Sequence, residues 1–223
     1  MANKKDLSKK KENVIIQSAN LFFRNGYVNT GLNEILEVCN IPKGSLYYYF
    51  KNKDELLLNV IEYQTKRILD LFDNTVDDLS IFKLKSFFSI FLNNIAIIEI
   101  ENDNQEKENN ENSLFGNIEE NTIKFYGGSP LGNLNAELSN LSNEINEKIS
   151  DSFKQIENRI YLFLETLSCV HEKYRSDYTE FYTYLLINNL EGSCLKLKRE
   201  QSLEPVDEFL KFFDILIEKM IND

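Results

Sequence analysis

Side chains that can hold the phosphate backbone of DNA are concentrated in the octapeptide KGSLYYYF, which begins at Lys43. Its lysine, serine and tyrosines supply donors for phosphate oxygens, and a tyrosine ring edge can also touch a thymine methyl group. Leu46 and Phe50 lie four residues apart, so a helix would turn both towards a core. The alternative is a buried aromatic cluster, but three adjacent tyrosines cannot all face one core. The pattern therefore favours contact with DNA.

Gly44 lies inside this expected helix, where glycine costs about 1 kcal/mol relative to alanine. That cost is understandable if the backbone must approach another molecule closely. A phosphate near a helix N-terminus is the natural candidate, so Gly44 is expected to be a contact residue.

The residues before the octapeptide predict a helix-turn-helix. Thr30 is a good N-cap residue for a first helix whose apolar face includes Leu32 and Ile35. Asn40 tolerates the left-handed conformation of a sharp turn, and Pro42 suits the start of the next helix because it lacks an N–H group. Two helices connected by a tight turn present side chains to the DNA major groove.

Two further helices flank that motif. The first is expected from about Ser8 to Asn25, with Gly26 ending it. The second begins after Asn52, which can cap it together with Glu55, and continues for about 20 residues, a length of about 30 Å. A helix of that length can connect a DNA-binding head rigidly to the rest of the chain and transmit movement to it.

The run FFRNGYVNT from Phe22 and the run IPKGSLYYYFKNKDEL from Ile41 resemble the TetR family of bacterial transcription regulators. The resemblance is dense over about the first 60 residues. It implies an all-helical homodimer whose N-terminal domains bind a palindromic operator and whose larger C-terminal domain binds an inducer and dimerises. It also assigns a phosphate contact to Lys53, a cation at the unfavourable end of the helix dipole.

Charge is divided unevenly along the chain. The net charge of −11 argues by itself against DNA binding. Residues 1–53, however, hold nine Lys or Arg against four Asp or Glu, a balance of +5, which leaves −16 on residues 54–223. A basic N-terminal segment on an acidic remainder fits a molecule that docks one end on phosphates. The alternative for Lys4 and Lys5 is a solvated tail.

Residues 54–223 predict a larger helical domain. The acidic, asparagine-rich stretch 101–120 is expected to be an exposed loop. The last two amphipathic helices have too few partners within the chain, which suggests a four-helix interface between two subunits, although an internal core is the alternative. The resemblance favours the dimer. Helices are expected over about 78–99, 142–172, 176–198 and 206–221, with Leu185, Gly192, Leu195, Phe213 and Leu216 at the dimer interface.

An apolar pocket for the inducer is expected between the fourth and eighth helices. The run GGSPLGNLNAELS resembles a segment of one group of TetR-family ligand domains, some of which have an electrophile-sensing cysteine where this chain has Ser129. Asn133 and Glu137, one turn apart, either cap neighbouring helix ends or face a ligand, and the structural role is preferred. The residues expected to line the pocket are Phe91, Phe125, Phe163 and Tyr184.

No catalytic, metal-binding or membrane-spanning pattern is found. The single histidine, His171, lies near a predicted helix end, a place more typical of a structural histidine than of a catalyst. Three cysteines without metal-type spacing fit a reducing cytoplasm. There is no apolar run of about 18 residues and no signal-peptide pattern. We therefore expect a cytoplasmic protein that is not an enzyme and that uses no cofactor or metal.

Together these patterns predict an all-α protein with a helix-turn-helix domain over residues 1–53 and a ligand-binding and dimerisation domain over residues 54–223. The expected function is a ligand-responsive transcriptional regulator, most simply a repressor, that binds double-stranded operator DNA as a homodimer and is released by a small-molecule inducer. The alternatives are a helical small-molecule-binding protein or enzyme without a DNA target, and a helical adaptor, which would not explain the basic head. Phosphate contacts are expected from Lys43, Gly44, Ser45, Tyr47 and Lys53, base contacts from Tyr48 and Tyr49, and a further DNA contact from Thr30.

Overall fold

The computed structural model describes residues 4–96, 127–138, 142–171, 173–174 and 177–222, and all regular structure within these ranges is helical. The prediction of an all-α fold is confirmed. We call α1–α3 with their connecting turns the head and α4–α9 the body. The helices are α1 (Lys4–Asn25), α2 (Leu32–Val38), α3 (Lys43–Tyr49), α4 (Lys53–Thr75), α5 (Ile81–Ala96), α6 (Pro130–Leu138), α7 (Asn143–Val170), α8 (Thr179–Glu200) and α9 (Glu204–Asn222).

The turns of the head depend on two residues with left-handed backbone conformations. Gly26, with φ of +82°, ends α1, and Asn40, with φ of +49°, makes the turn between α2 and α3, both as predicted. Thr30 is not the N-cap of α2, because Gly31 occupies that position. The Thr30 side chain is instead buried, and its hydroxyl donates to the carbonyl of Gly26 at 2.7 Å. The Thr30 hydroxyl therefore gives the Gly26 carbonyl a hydrogen-bond donor and makes no cap hydrogen bond to α2.

Helix α4 connects the head to the body. Its 23 residues span about 34 Å, and it packs against α1 at one end and against α5 and α7 further along. Asn52 caps it as predicted, its side chain accepting from the Glu55 N–H at 2.8 Å. The Glu55 carboxylate accepts in return from the Lys51 N–H at 2.7 Å, one residue before the position used in a capping box.

Helix α5 lies at the centre of the body, as its apolar pattern predicts. Phe88 is fully buried and packs against Phe209 and Phe213 of α9, with ring centroids 5.1 and 5.7 Å apart. The predicted start at Asp78 is three residues early, because the Asp78 carboxylate makes a turn by accepting from the Ser80 N–H at 2.9 Å. The expected loop over 101–120 lies outside the described residues.

The C-terminal helices follow the predicted order with shifted ends. Ser142 caps α7, its hydroxyl accepting from the Ile145 N–H at 3.2 Å. Helix α8 begins at Thr179, three residues later than predicted, and α9 begins at Glu204, two residues earlier. No helix in the described ranges is both long and apolar enough to cross a membrane.

Candidate DNA-binding surface and internal cavity

Helix α3 presents one polar face to solvent, which we call the α3 surface: Lys43, Gly44, Ser45, Tyr47 and Tyr48. Leu46 and Phe50 anchor the opposite face and are 3% and 2% exposed. Tyr48 is 72% exposed and Tyr47 46% exposed. The prediction that Leu46 and Phe50 are buried while Tyr47 and Tyr48 face solvent is therefore confirmed.

Gly44 has open space around it. A Cβ built on this residue would have no atom within 4 Å, and its backbone does not take the positive φ that favours glycine. Neither crowding by the described residues nor the backbone conformation of Gly44 therefore requires glycine at this position. The small residue leaves the backbone of α3 open to contact from outside.

The three tyrosines do not play equivalent roles. Tyr49 is half-buried and makes edge-to-face contacts with Tyr48 and Phe50, with ring centroids 5.4 and 6.3 Å apart. Tyr49 therefore supports Tyr48 from the side of the core, and its base contact stays a prediction. Tyr47 lies beside Lys43, whose ammonium is 5.9 Å from its ring centroid.

Helix α1 adds a cation next to α3. The ammonium of Lys11 lies 5.2 Å from the ring centroid of Phe50. Because α1 begins at Lys4 rather than near Ser8, Lys11 lies about two turns inside the helix rather than in its first turn.

Lys53 is held by the head itself rather than projecting freely. Its ammonium donates to the Tyr27 carbonyl and lies 4.0 Å from the Tyr27 ring centroid. Burial lowers the pKa of Lys53, and the carboxylates of Glu137 and Asp54 oppose that shift. Thr30 is fully buried, so its side chain is not available to DNA.

A set of polar contacts, which we call the clasp, connects the head to the body. The Glu137 carboxylate near the end of α6 accepts from the backbone N–H groups of Tyr27 and Val28, at 2.8 and 2.7 Å. The Tyr27 hydroxyl donates to Asp54 of α4. Burial, followed by the hydrogen bond to Asp54, raises the pKa of Tyr27.

The structural role preferred for Glu137 and Asn133 is confirmed. Glu137 satisfies two N–H groups just beyond the end of α1. The Asn133 amide donates to the Gly127 carbonyl at 2.5 Å and accepts from the Lys198 ammonium at 3.2 Å. Asn133 thereby ties the start of α6 to α8.

An internal cavity of about 20 Å³ lies where α4, α5, α6, α7 and α8 meet. That is room for about one water molecule. Phe91 lines it, as predicted, whereas Phe163 is buried outside it and packs on Phe72. Tyr184 is 62% exposed on the outer side of α8, so its predicted place in the pocket is wrong. Phe125 lies outside the described residues.

The cavity contains a carboxyl group that the sequence interpretation missed. Glu191 of α8 lines it, and the Ser129 side chain is hydrogen-bonded to that carboxyl group. Burial raises the pKa of Glu191 to about 7, and the hydrogen bond from Ser129 partly opposes the rise. Its position could have been noticed, because Glu191 follows Ile187 by one turn and adjoins Leu190 on the apolar stripe of α8.

The family of the protein is identified from the sequence of the head and the start of α4. Residues 15–60, which include α2, α3 and the exposed tyrosines, match the profile described as bacterial regulatory proteins, tetR family. The chain belongs to the TetR family. Its function is to regulate transcription by binding DNA. Among the described residues of this TetR-family regulator, no group of three or more His, Cys, Asp or Glu could hold a metal ion.

Relatives of similar length agree with this assignment. An uncharacterized HTH-type transcriptional regulator in the lacX 3' region of Lactococcus lactis subsp. lactis is 25% identical over 218 residues, 96% of each chain. The HTH-type transcriptional repressor DhaR of Mycobacterium sp. (strain GP1) is 24% identical over 204 residues, 90% of this chain and 88% of its own. A TetR transcriptional regulator from Chloroflexus aurantiacus J-10-FL shares the fold, with a TM-score of 0.77 at 17% identity, covering 97% of this chain and 98% of that one.

The residues predicted at a dimer interface fall into two groups. Gly192 and Leu195 lie on the outer side of α8, where Leu195 is 62% exposed, and Leu185 is half-buried. Phe213 and Leu216, in contrast, are 0% and 7% exposed and belong to the core of their own chain. Placing these two at a surface is therefore wrong, because α9 has a wide apolar stripe whose inner part packs on α5.

Proposed function

We propose that this TetR-family regulator is a repressor that binds a palindromic operator as a homodimer and leaves it when a small molecule enters the body. The α3 surface is the observation that carries the proposal. It places lysine, serine and tyrosine donors around a glycine that no described residue crowds.

DNA contact is assigned to particular members of that surface. Lys43, Ser45 and Tyr47 hold phosphates, and Gly44 allows the backbone to come close to the DNA. Tyr48, the most exposed of the three tyrosines, reaches into the major groove from its support on Tyr49. Thr30, which is buried in the head, and Lys53, which is held against Tyr27, contribute by fixing the shape of the head.

The dimer is assigned to the outer faces of α8 and α9. Leu195 and Ile215 are each 62% exposed, and large exposed apolar side chains on neighbouring helices favour a partner surface. A homodimer must place its two α3 helices about 34 Å apart to read successive major grooves. Light scattering tests this assignment, and a monomer at micromolar concentration would contradict it.

The predicted division between residues 53 and 54 falls at the first residue of α4, next to the border between head and body, and it suits this mechanism. The boundary falls within the clasp, since Lys53 and Asp54 both contact Tyr27. Helix α6 supplies Leu131 to the cavity near one end and Glu137 to the clasp near the other. A ligand that displaces the start of α6 therefore moves the support of the head. Repression, rather than activation, is supported by DhaR, which is named a repressor and is similar to this chain along most of its length.

The decisive experiment compares two tyrosine substitutions on DNA from upstream of the protein's own gene. Tyr47→Phe removes a phosphate donor from each subunit. One hydrogen bond to a charged group contributes about tenfold, so binding by the dimer should weaken about 100-fold. Tyr178→Phe removes a hydroxyl of similar exposure from the residue that precedes α8, and it should leave affinity unchanged. Fluorescence anisotropy measures both. Equal affinities of Tyr47→Phe and the native protein, together with no dependence on salt, would exclude the proposed DNA surface.

A further inference from the structure

Among the described residues that line the cavity, Glu191 supplies the one carboxyl group; apart from the Ser129 hydroxyl, the rest of that described lining is apolar. The carboxylate packs directly on the first turn of α6, since one of its oxygens lies 2.3 Å from where a Cβ on Gly132 would be. Ser129 is its hydrogen-bond partner, and within the described ranges no Lys or Arg forms an ion pair with it. The charge of this carboxylate is therefore uncompensated by protein cations there.

Aromatic rings surround the same space. Phe87, Phe91 and Phe153 all line the cavity, and the rings of Phe87 and Phe91 have centroids 6.2 Å apart. The faces of such rings attract cations, most strongly where water is excluded. A carboxylate beside several phenyl rings combines two features that favour an organic cation.

We propose that the effector of this regulator is a small protonated aliphatic amine whose nitrogen pairs with Glu191 and whose hydrocarbon part lies among these phenylalanine rings. A cation offsets the cost of keeping a carboxylate in an apolar cavity. A neutral ligand would leave that cost in place, and an anionic ligand would be repelled. The inference rests on the proposed function, because it names the class of molecule that the regulator senses.

Binding requires the cavity to widen, and the structure offers a route. A groove of about 410 Å³ lies between α6 and α7, lined by Asn135, Ser150 and Lys154 among others. Phe153 lines both the groove and the cavity, so rotation of its ring connects them. The opposite wall contains Ser129 and Leu131, so widening pushes on the start of α6, the helix that carries Glu137.

The affinity for an amine should depend on pH. With the pKa of Glu191 raised to about 7, about one tenth of this carboxyl is ionised at pH 6 and about nine tenths at pH 8. Among the described neighbours, Cys194 also titrates, but burial raises the pKa of its thiol well above the usual range, so it stays protonated. An alkylammonium ion keeps its own proton over this interval, so its affinity should rise about tenfold from pH 6 to pH 8.

Calorimetry on the full chain without DNA tests the proposal. The probes are the alkylammonium ions from propyl to hexyl and the neutral alcohols of the same lengths. Glu191→Gln keeps the shape of the side chain and removes the charge, and it should weaken ammonium binding at least 30-fold. Glu180→Gln, an exposed position on the same helix, is the matched control and should bind like the native protein. The alcohols should bind weakly to all three.

Several outcomes would overturn the proposal. These are alcohols binding as tightly as the ammonium ions, Glu191→Gln retaining native affinity, or no member of the ammonium series binding the native protein. If Glu191→Gln does not fold, Ser129→Ala replaces it. Loss of that hydrogen bond raises the pKa of Glu191 further, so the pH at which ammonium affinity rises should shift upward, and an unchanged pH profile contradicts the assignment.

A separate measurement distinguishes this inference from the proposed function. Upstream DNA is titrated with the protein, with and without saturating ammonium ion. Ammonium binding that leaves the DNA complex intact would support the Glu191 site and contradict release by a ligand. Tyr47-dependent, salt-dependent DNA binding by a protein that binds no ammonium ion would support the regulator and overturn the amine.

Discussion

The α3 surface and the start of α6 use small and polar residues for opposite purposes. Around Gly44 a Cβ would meet nothing within 4 Å, whereas at Gly132 it would lie 2.3 Å from the Glu191 carboxylate. At Gly127, just before α6, it would lie 1.8 Å from the Phe23 ring of α1. Residues of the first region are therefore free to serve another molecule, and those of the second hold the chain together. Substitutions on the α3 surface should therefore change DNA binding more than stability, and those around α6 should chiefly lower or raise stability.

The largest effect on stability is expected at Glu191, which packs against the start of α6. The pKa of Glu191 is about 7 in the folded chain and about 4.3 in an unfolded one. The folded state therefore keeps a proton that the unfolded state loses, so stability should fall as pH rises from about 4.3 to 7 and then level off. Because part of the residue remains exposed, we expect a loss of about 2 kcal/mol rather than the full value of the shift.

Urea unfolding of Glu191→Gln measures this contribution. The variant has no carboxyl to titrate there, so its stability should lack this fall and exceed that of the native protein at pH 8. Glu180→Gln should keep the native pH dependence. An identical pH dependence in Glu191→Gln and the native protein would mean that the carboxyl is not buried.

An intermediate effect is expected at the clasp. Glu137→Gln replaces a charged acceptor of two backbone N–H groups with a neutral amide, and should lower the free energy of unfolding by about 1.5 kcal/mol. Glu147→Gln, on the exposed face of α7, is the matched control and should change little. Equal stabilities of the two variants in urea would show that Glu137 does not support the head.

The smallest change in stability, with the opposite sign, is expected on the α3 surface. Gly44→Ala should stabilise the protein by about 0.5–1 kcal/mol, since alanine is the better helix former and has room. It should also weaken binding to upstream DNA several-fold, because the methyl group separates backbone from phosphate. Tighter DNA binding by Gly44→Ala would contradict the contact.

Local rules explain what the sequence could predict. The left-handed turns at Gly26 and Asn40, the cap by Asn52 and the anchors Leu46 and Phe50 all depend on residues within one or two helical turns of each other. Thr30 failed under the same rules because a threonine hydroxyl can either cap a following helix or donate to a carbonyl four residues back.

Long-range contacts were out of reach for a physical reason. Glu137 binds backbone N–H groups 110 and 109 residues earlier in the chain, and a backbone donor leaves no pattern in side-chain types. Phe213 and Leu216 lie on an apolar stripe that would look the same against a partner subunit as against its own core. The exposed and buried sides of α3 were predicted better than the cavity lining, because α3 is continuous in sequence whereas the cavity is lined by five helices.

Substitutions on the two sides of the contact between Glu137 and residues 27 and 28 should differ in their effects. The acceptor of this contact is a side chain, but both donors are main-chain groups that every residue except proline possesses. Random substitution of Val28, whose own side chain is 62% exposed, should leave the link intact for almost every replacement. Variants that loosen the head should therefore be recovered at position 137 and, at position 28, chiefly as proline.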